Sequence, residues 1–185
     1  MELDALTRLL ARRQPGLMDA TGRYAVLVPM VKGEEGLSLL YEVRAHTLRR
    51  QPGEVCFPGG RLEPGEDAVS CALRETWEEL GIPREEIRVF GKSDFLCSHR
   101  GFLLQPVLAA VSPAGLAALC PSPAEVAEVF SVPLSFFRRQ QPEVYRYELV
   151  PARPDQFPYG AVGIPETYRW ARGTVEVPVW FWEGH

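Results

Sequence analysis

GGRLEPGEDAVSCALRETWEELGI, residues Gly59 to Ile82, is the stretch on which the fold turns. From Glu66 to Leu80, Val69, Leu73, Thr76 and Leu80 fall on one helical stripe; acids fill the first turn, and Gly81 with Pro83 ends the run. On that helix Glu75, Glu78 and Glu79 stand at i, i+3 and i+4, so their carboxylates can converge on one small volume. Three like charges held together are costly. Either they fan out into solvent or a cation draws them together, and oxygen ligands with room for water suit Mg2+, with Mn2+ as the alternative.

Working outward, Tyr24–Val31 and Leu37–Val43 read as two strands joined by the turn-rich residues Lys32 to Gly36, a hairpin signal. Before them, Leu3, Leu6, Leu9 and Leu10 share helical spacing and are expected to pack, giving a helical segment over residues 1–22. After the central helix, Ile87–Val89, Phe102–Val111, Val126–Val132, Val144–Val150 and Thr174–Trp182 read as strands, and Leu134–Arg139 as a short helix. Strands on both sides of a helix, without regular alternation, predict a mixed sheet packed between helices.

A chain of 185 residues, 46% apolar and 24% charged, fits one globular domain spanning 1–185. Its net charge of −4 argues against general phosphate attraction, so nucleic acid is not expected as a partner. An anion must instead be met locally. Positive charge is almost all arginine, 18 Arg beside Lys32 and Lys92, and guanidinium forks suit phosphate. Cys56, Cys71, Cys97 and Cys120 are widely spaced without a C-x-x-C pair and read as reduced thiols of an intracellular protein. No apolar run reaches the roughly 20 residues of a membrane span.

Gly60, Glu66, Arg74, Glu75, Glu78, Glu79, Gly81 and Ile82 match the spacing G-x5-E-x7-R-E-U-x-E-E-x-G-U, and through it residues 59–82 resemble the signature of the Nudix hydrolase family. The one departure is Thr76, where the pattern asks for a bulky aliphatic; its hydroxyl needs a partner, expected four residues back. The resemblance implies an α/β/α sandwich and a metal-dependent hydrolase of a diphosphate linkage. It also implies metal ligands at Glu75, Glu78, Glu79 and the Gly60 carbonyl, with Arg74 positioning a neighbouring carboxylate. Arg74 is equally an ion-pair partner for Glu66 or Glu78. The proton acceptor is expected at Glu78 or at Glu125 downstream.

Upstream, Arg44, Ala45, Arg49, Gly53, Phe57, Pro58, Gly59 and Gly60 fall at the positions of L-L-T-x-R-[SA]-x3-R-x3-G-x3-F-P-G-G, and this stretch resembles the extra motif of the coenzyme A diphosphatases. Tyr41 and Glu42 depart from it, standing where Leu and Thr are asked for. That resemblance implies CoA or acyl-CoA as substrate, with Arg44 and Arg49 as phosphate clamps and Gly53 and Phe57 in the binding loop; Phe57 suits the core as well as a base stack. ADP-ribose, NADH or an oxidised nucleotide is the alternative substrate, and a non-catalytic module of the same fold the alternative class. A monomer or homodimer is expected, in the peroxisome by resemblance, with cytoplasm or mitochondrion as alternatives. Because members of the subfamily continue past the position of Gly184-His185, and the peroxisomal ones end in a targeting tripeptide, the resemblance implies either a shortened C-terminal end or a segment after Gln156 that differs from the family.

Overall fold

The computed structural model describes residues 3–11, 21–33, 36–98, 101–152 and 156–185. In chain order the elements are α1 (Leu3–Ala11), β1 (Gly22–Gly33), β2 (Gly36–Arg44), β3 (Val55–Cys56), β4 (Gly59–Arg61), α2 (Ala68–Leu80), a 3-10 turn (Arg84–Glu86), β5 (Ile87–Lys92) and β6 (Leu96–Cys97). Then come β7 (Phe102–Val111), α3 (Pro113–Ala117), β8 (Val126–Pro133), α4 (Leu134–Arg139), β9 (Glu143–Leu149) and β10 (Gly173–Val179). They fall into two compact units, Met1–Leu134 and Ser135–His185.

In the first unit the described strands form one eight-stranded sheet with the path β3-β2-β1-β7-β5; β4 joins β1, β6 joins β7 and β8 joins β2. It is mixed, as expected: β1 runs parallel to β7 from Gly22↔Phe102 to Met30↔Ala110, while the other pairings are antiparallel. Alternation explains the register. Ala25, Leu27, Pro29 and Val31 of β1 are buried in phase with Gln105, Val107, Ala109 and Val111 of β7. The helix α2 packs on this sheet, closing a core that includes Leu27, Val107, Cys71, Ala72, Leu73 and Leu80. Fully burying one such leucine contributes about 1.5–3 kcal/mol, so Leu80→Ala would weaken the anchoring of α2 more than any change on its outer face.

The helix begins two residues later than its acids suggest. Asp67 is its N-cap, accepting from the backbone N–H groups of Val69 at 2.8 Å and Ser70 at 3.1 Å, so Glu66 and Asp67 precede the first turn instead of filling it. At the other end Gly81 takes the left-handed conformation, φ 69°, and donates its N–H to the Trp77 carbonyl. Thr76 is fully buried and its hydroxyl donates to the Ala72 carbonyl at 2.7 Å, the partner four residues back that its burial requires. In α1, Leu3 is 83% exposed, against the expectation that it packs, because it sits in the first turn at the helix end; the side chains of Leu6, Leu9 and Leu10 lie outside the described residues.

The second unit pairs β9 with β10, Tyr145 opposite Val177. The strand predicted to run to Trp182 stops at Val179 because the tryptophans turn onto a helix. Trp180 meets Phe137 edge-on at 5.6 Å and Trp182 meets Phe136 at 4.9 Å. Among the described residues no helix is long and apolar enough to cross a membrane. All four cysteines are free.

Candidate active site

Three backbone segments meet at the helix acids: the strand end of β2, the glycine strand β4, and α2 itself. The short strand β4 lies against β1 with Gly60 opposite Ala25 and Gly59 opposite Val26. A side chain at Gly59 would put its Cβ 2.3 Å from the Ala25 carbonyl oxygen, so only glycine allows this approach. Gly60 faces the helix, where a Cβ would fall 2.2 Å from Glu75 Oε1. The glycines thus bring backbone N–H and C=O groups up to the carboxylates.

Arg74 organises the outer part of the cluster. Its Nε donates to Glu66 Oε1 at 3.0 Å, Nη1 lies 2.9 Å from Glu75 Oε1 and donates to Glu78 Oε2 at 3.1 Å, and Nη2 donates to Glu66 Oε2 and the Arg61 carbonyl. Arg74 therefore pairs with Glu66, Glu75 and Glu78 at once. The Arg74 bond and the Glu63 N–H hold the Glu66 carboxyl below its ordinary range.

The inner carboxylate is Glu79, 4% exposed, with Oε2 accepting the Gly59 N–H at 2.8 Å and Oε1 4.0 Å from Arg44 Nη1. Burial, and then the charge of Glu42, push its carboxyl up to about 8 despite the Gly59 hydrogen bond. Glu75 is raised too, first by burial. Cys71 donates its thiol toward the Gly60 carbonyl at 3.6 Å, and burial pushes that thiol up to about 11, leaving it a neutral group beside an oxygen-only donor set.

Glu125 is exposed just before β8, its carbonyl accepts the Ala45 N–H at 2.8 Å, and its charge bears on Glu42, Glu75 and Glu79. Gly53, φ 74°, turns the loop after β2 and donates its N–H to the Arg44 carbonyl. Arg49 is exposed on that loop. Phe57 stacks on Tyr41 at 4.5 Å, and Tyr41 on Phe130 at 5.7 Å, so its ring is engaged within the protein. The structure therefore gathers Glu75, Glu78, Glu79, Gly60, Arg74, Arg44 and the charge of Glu125, while Arg49 is exposed on the loop after β2. An open cleft of about 810 Å3, lined among others by Arg23, Arg61, Glu66, Arg74 and Glu75, leads to the acids and falls within the usual range of ligand sites.

One residue of this region, Glu42, is not among the sequence candidates. It is fully buried on β2, accepts the Cys56 thiol on Oε1 at 3.4 Å, and has no hydrogen-bond partner among the described residues for Oε2. Sequence alternation gives no signal for it: Leu37, Leu39, Tyr41 and Val43 form the apolar phase of β2, yet Ser38, Leu40 and Glu42, in the other phase, are all buried. As the side chains stand, no three of the His, Cys, Asp and Glu groups among the described residues form a ready-made ligand shell. Arg74 engages Glu75 and Glu78, and Gly59 engages Glu79.

The family model of the NUDIX domain matches residues 21–151. Human mitochondrial coenzyme A diphosphatase NUDT8 is 38% identical over 142 residues, 76% of this chain and 60% of that protein. Mouse peroxisomal coenzyme A diphosphatase NUDT7 is 36% identical over 127 residues, 68% and 52%. Nudix hydrolase 3 of Caenorhabditis elegans is 35% identical over 137 residues, 71% and 57%. The chain thus spans little more than half the length of these relatives. A solved C. elegans Ap4A hydrolase binary complex superposes with a TM-score of 0.52 at 23% identity, covering 60% of this chain and 80% of that one, a likeness of fold.

Proposed function

Because the chain belongs to the Nudix family, we propose that it is a divalent-metal-dependent diphosphatase acting on coenzyme A or its acyl derivatives, yielding 3′,5′-ADP and 4′-phosphopantetheine or its acyl form. The observation that carries the reading is the packing of Glu75 and Glu79 against the Gly59-Gly60 backbone with Arg44 4.0 Å away. Acids that a cation can neutralise and an arginine that an anion can engage stand side by side there. The residues fit a hard cation: the donors are carboxylates and a carbonyl, the inner ones are penalised by burial and mutual repulsion, and a buried carboxylate oxygen nearby lacks a partner.

Glu75, Glu78, Glu79 and the Gly60 carbonyl are the groups that would hold Mg2+ or Mn2+. When bound, the metal supplies Lewis-acid polarisation of a diphosphate oxygen and an acidified water. The chain's own residues do the rest. Arg74 keeps Glu75 and Glu78 in place from the solvent side, and the Gly59 N–H fixes Glu79. Glu125 is our choice for the proton acceptor, since its charge reaches the inner acids while Glu78 is engaged by Arg74. Arg44, whose buried Nε has no hydrogen-bond partner among the described residues, would hold the diphosphate, and Arg49 on the exposed loop the 3′-phosphate. The names of the relatives support the CoA choice; the same site could serve ADP-ribose, NADH or an oxidised nucleotide.

Incubation with CoA and Mg2+ followed by mass spectrometry tests both bond and substrate. Appearance of 3′,5′-ADP with 4′-phosphopantetheine is expected. An intact CoA peak alongside hydrolysis of ADP-ribose or NADH would overturn the substrate, and no hydrolysis of any of them the activity.

A further inference from the structure

Glu42 is an unusual residue for the middle of a buried strand. It is fully enclosed on β2, where β3 and β8 pair on it through Cys56 and Val129. Burying a carboxylate without a full set of partners is costly, and only Oε1 has one, the Cys56 thiol. That thiol is a weak donor, and burial, then the Glu42 charge, push it up to about 12. Two residues along the same strand, Arg44 reaches toward Glu79 Oε1. Three residues beyond Cys56, Gly59 donates to Glu79 Oε2. The strand that carries Glu42 and the chain that continues from β3 therefore both lead to Glu79. An apolar side chain would satisfy the strand. An acid stands there instead, with one oxygen unpartnered.

We propose that Glu42 is a strand-borne positioning residue of the divalent-cation site, its Oε2 accepting from the water shell of a cation whose helix ligand is Glu79. The inference rests on the metal-dependent reading above. It suits Mg2+ in particular, which gives up its waters reluctantly and leaves them to be held by groups one layer out. It also gives the unpartnered oxygen a donor. In this arrangement the helix supplies one wall of the cation site and the central sheet the other.

The test is direct Mn2+ binding to the full chain by electron paramagnetic resonance, in the absence of substrate, for wild type, Glu42→Gln, Glu42→Asp and Glu79→Gln. Loss of a group one layer out from a metal typically costs about 10–100-fold in affinity, so Glu42→Gln should raise the Mn2+ dissociation constant by at least about tenfold. Glu42→Asp, which keeps a carboxylate that can reach a water shell, should stay closer to wild type. The circular dichroism melt of the metal-free protein at pH 8 should not fall for Glu42→Gln, because above about 7 the substitution removes a buried charge with an unpartnered oxygen. If Glu42→Gln binds Mn2+ within about twofold of wild type while Glu79→Gln does not bind, the role of Glu42 is wrong and the metal site stands. If Asp is as weak as Gln, the effect is one of packing and the inference also fails. If Glu79→Gln too binds as wild type does, the metal-dependent reading itself is overturned.

Discussion

Gly60→Ala adds a single methyl group to the strand that faces the helix acids. That methyl would stand 2.2 Å from Glu75 Oε1 and 2.3 Å from its Cδ, where carbon and oxygen normally approach to about 3.5 Å. The carboxylate must retreat by more than about 1 Å. Because the obstacle is the far end of a flexible side chain, the strand itself can stay paired to β1, so the cost falls on chemistry and not on folding. A misplacement of about 1 Å in a catalytic group costs on the order of a hundredfold, equivalent to about 2.7 kcal/mol of barrier. Gly59→Ala is the contrast: its methyl would meet the Ala25 carbonyl at 2.3 Å and the Val26 Cα at 2.6 Å, backbone atoms that cannot step aside. CoA hydrolysis at saturating Mg2+ and thermal melting, measured on both variants, separate the two effects. The alanine at 60 should melt within about 4 °C of wild type with turnover down about a hundredfold, while the alanine at 59 should melt far lower or fail to accumulate. A Gly60→Ala protein that keeps more than a third of wild-type turnover would refute the placing of Glu75 at the reaction centre.

Glu79→Gln can still accept the Gly59 N–H, so it should fold at least as well as wild type in urea titration and lose more than about a hundredfold in turnover; retention of a tenth would remove it from the metal ligands. In the metal-free protein the Glu42 and Glu79 carboxyls, at about 7 and about 8, hold protons that the unfolded chain releases near 4.5. The folded state thus binds more protons over that interval, and stability falls as pH rises from about 5 to 8. Urea midpoints in chelator at pH 5.5 and 8 should show the drop, and Glu42→Gln should shrink it; an undiminished drop would place its source elsewhere. Arg49→Ala should lower kcat/KM for CoA about tenfold to a hundredfold and leave dephospho-CoA nearly unchanged, whereas Arg44→Ala should impair both; equal losses on both substrates for Arg49→Ala would detach it from the 3′-phosphate. Glu125→Gln should cut turnover more than Glu78→Gln at high pH, and the reverse order would move the proton acceptor to the helix.

The helix, its closing glycine and the long strands were legible because each has a period or a stop signal that acts locally. Phe102–Val111 needed only its apolar run, and Gly81 only its freedom at positive φ. The strand β4 was not, since Gly59, Gly60 and Arg61 have no strand preference; the close approach to Ala25 makes them a strand, and that contact spans more than thirty positions. The short helix at Pro113–Ala117 hid for another reason: Ser112 caps it through the Gly115 N–H, but five residues are too few to show periodicity. At the site, the Glu spacing on α2 revealed the acids but not their inequality. Only the packing distinguishes Glu79, enclosed by Gly59, from Glu78, which is half exposed beside Arg74. Glu42 read as a lapse from a motif because its burial depends on which neighbours β2 takes.

The two partners that share one edge of β1 leave a consequence for how such a protein can change. β4 occupies that edge over Tyr24 to Val26 and β2 over Met30 to Gly33, and between them Leu27 donates to the Pro58 carbonyl. The chain from Ala45 to Glu54 leaves the sheet at this fork and is tied back by the bonds of Arg44 with Gly53 and Glu54 and of Ala45 with Glu125. Residues 46–52 can therefore be lengthened, shortened or rewritten while the glycine strand stays seated on β1. New selectivity can be acquired there by drift in a tethered loop, without reopening the geometry on which the acids depend.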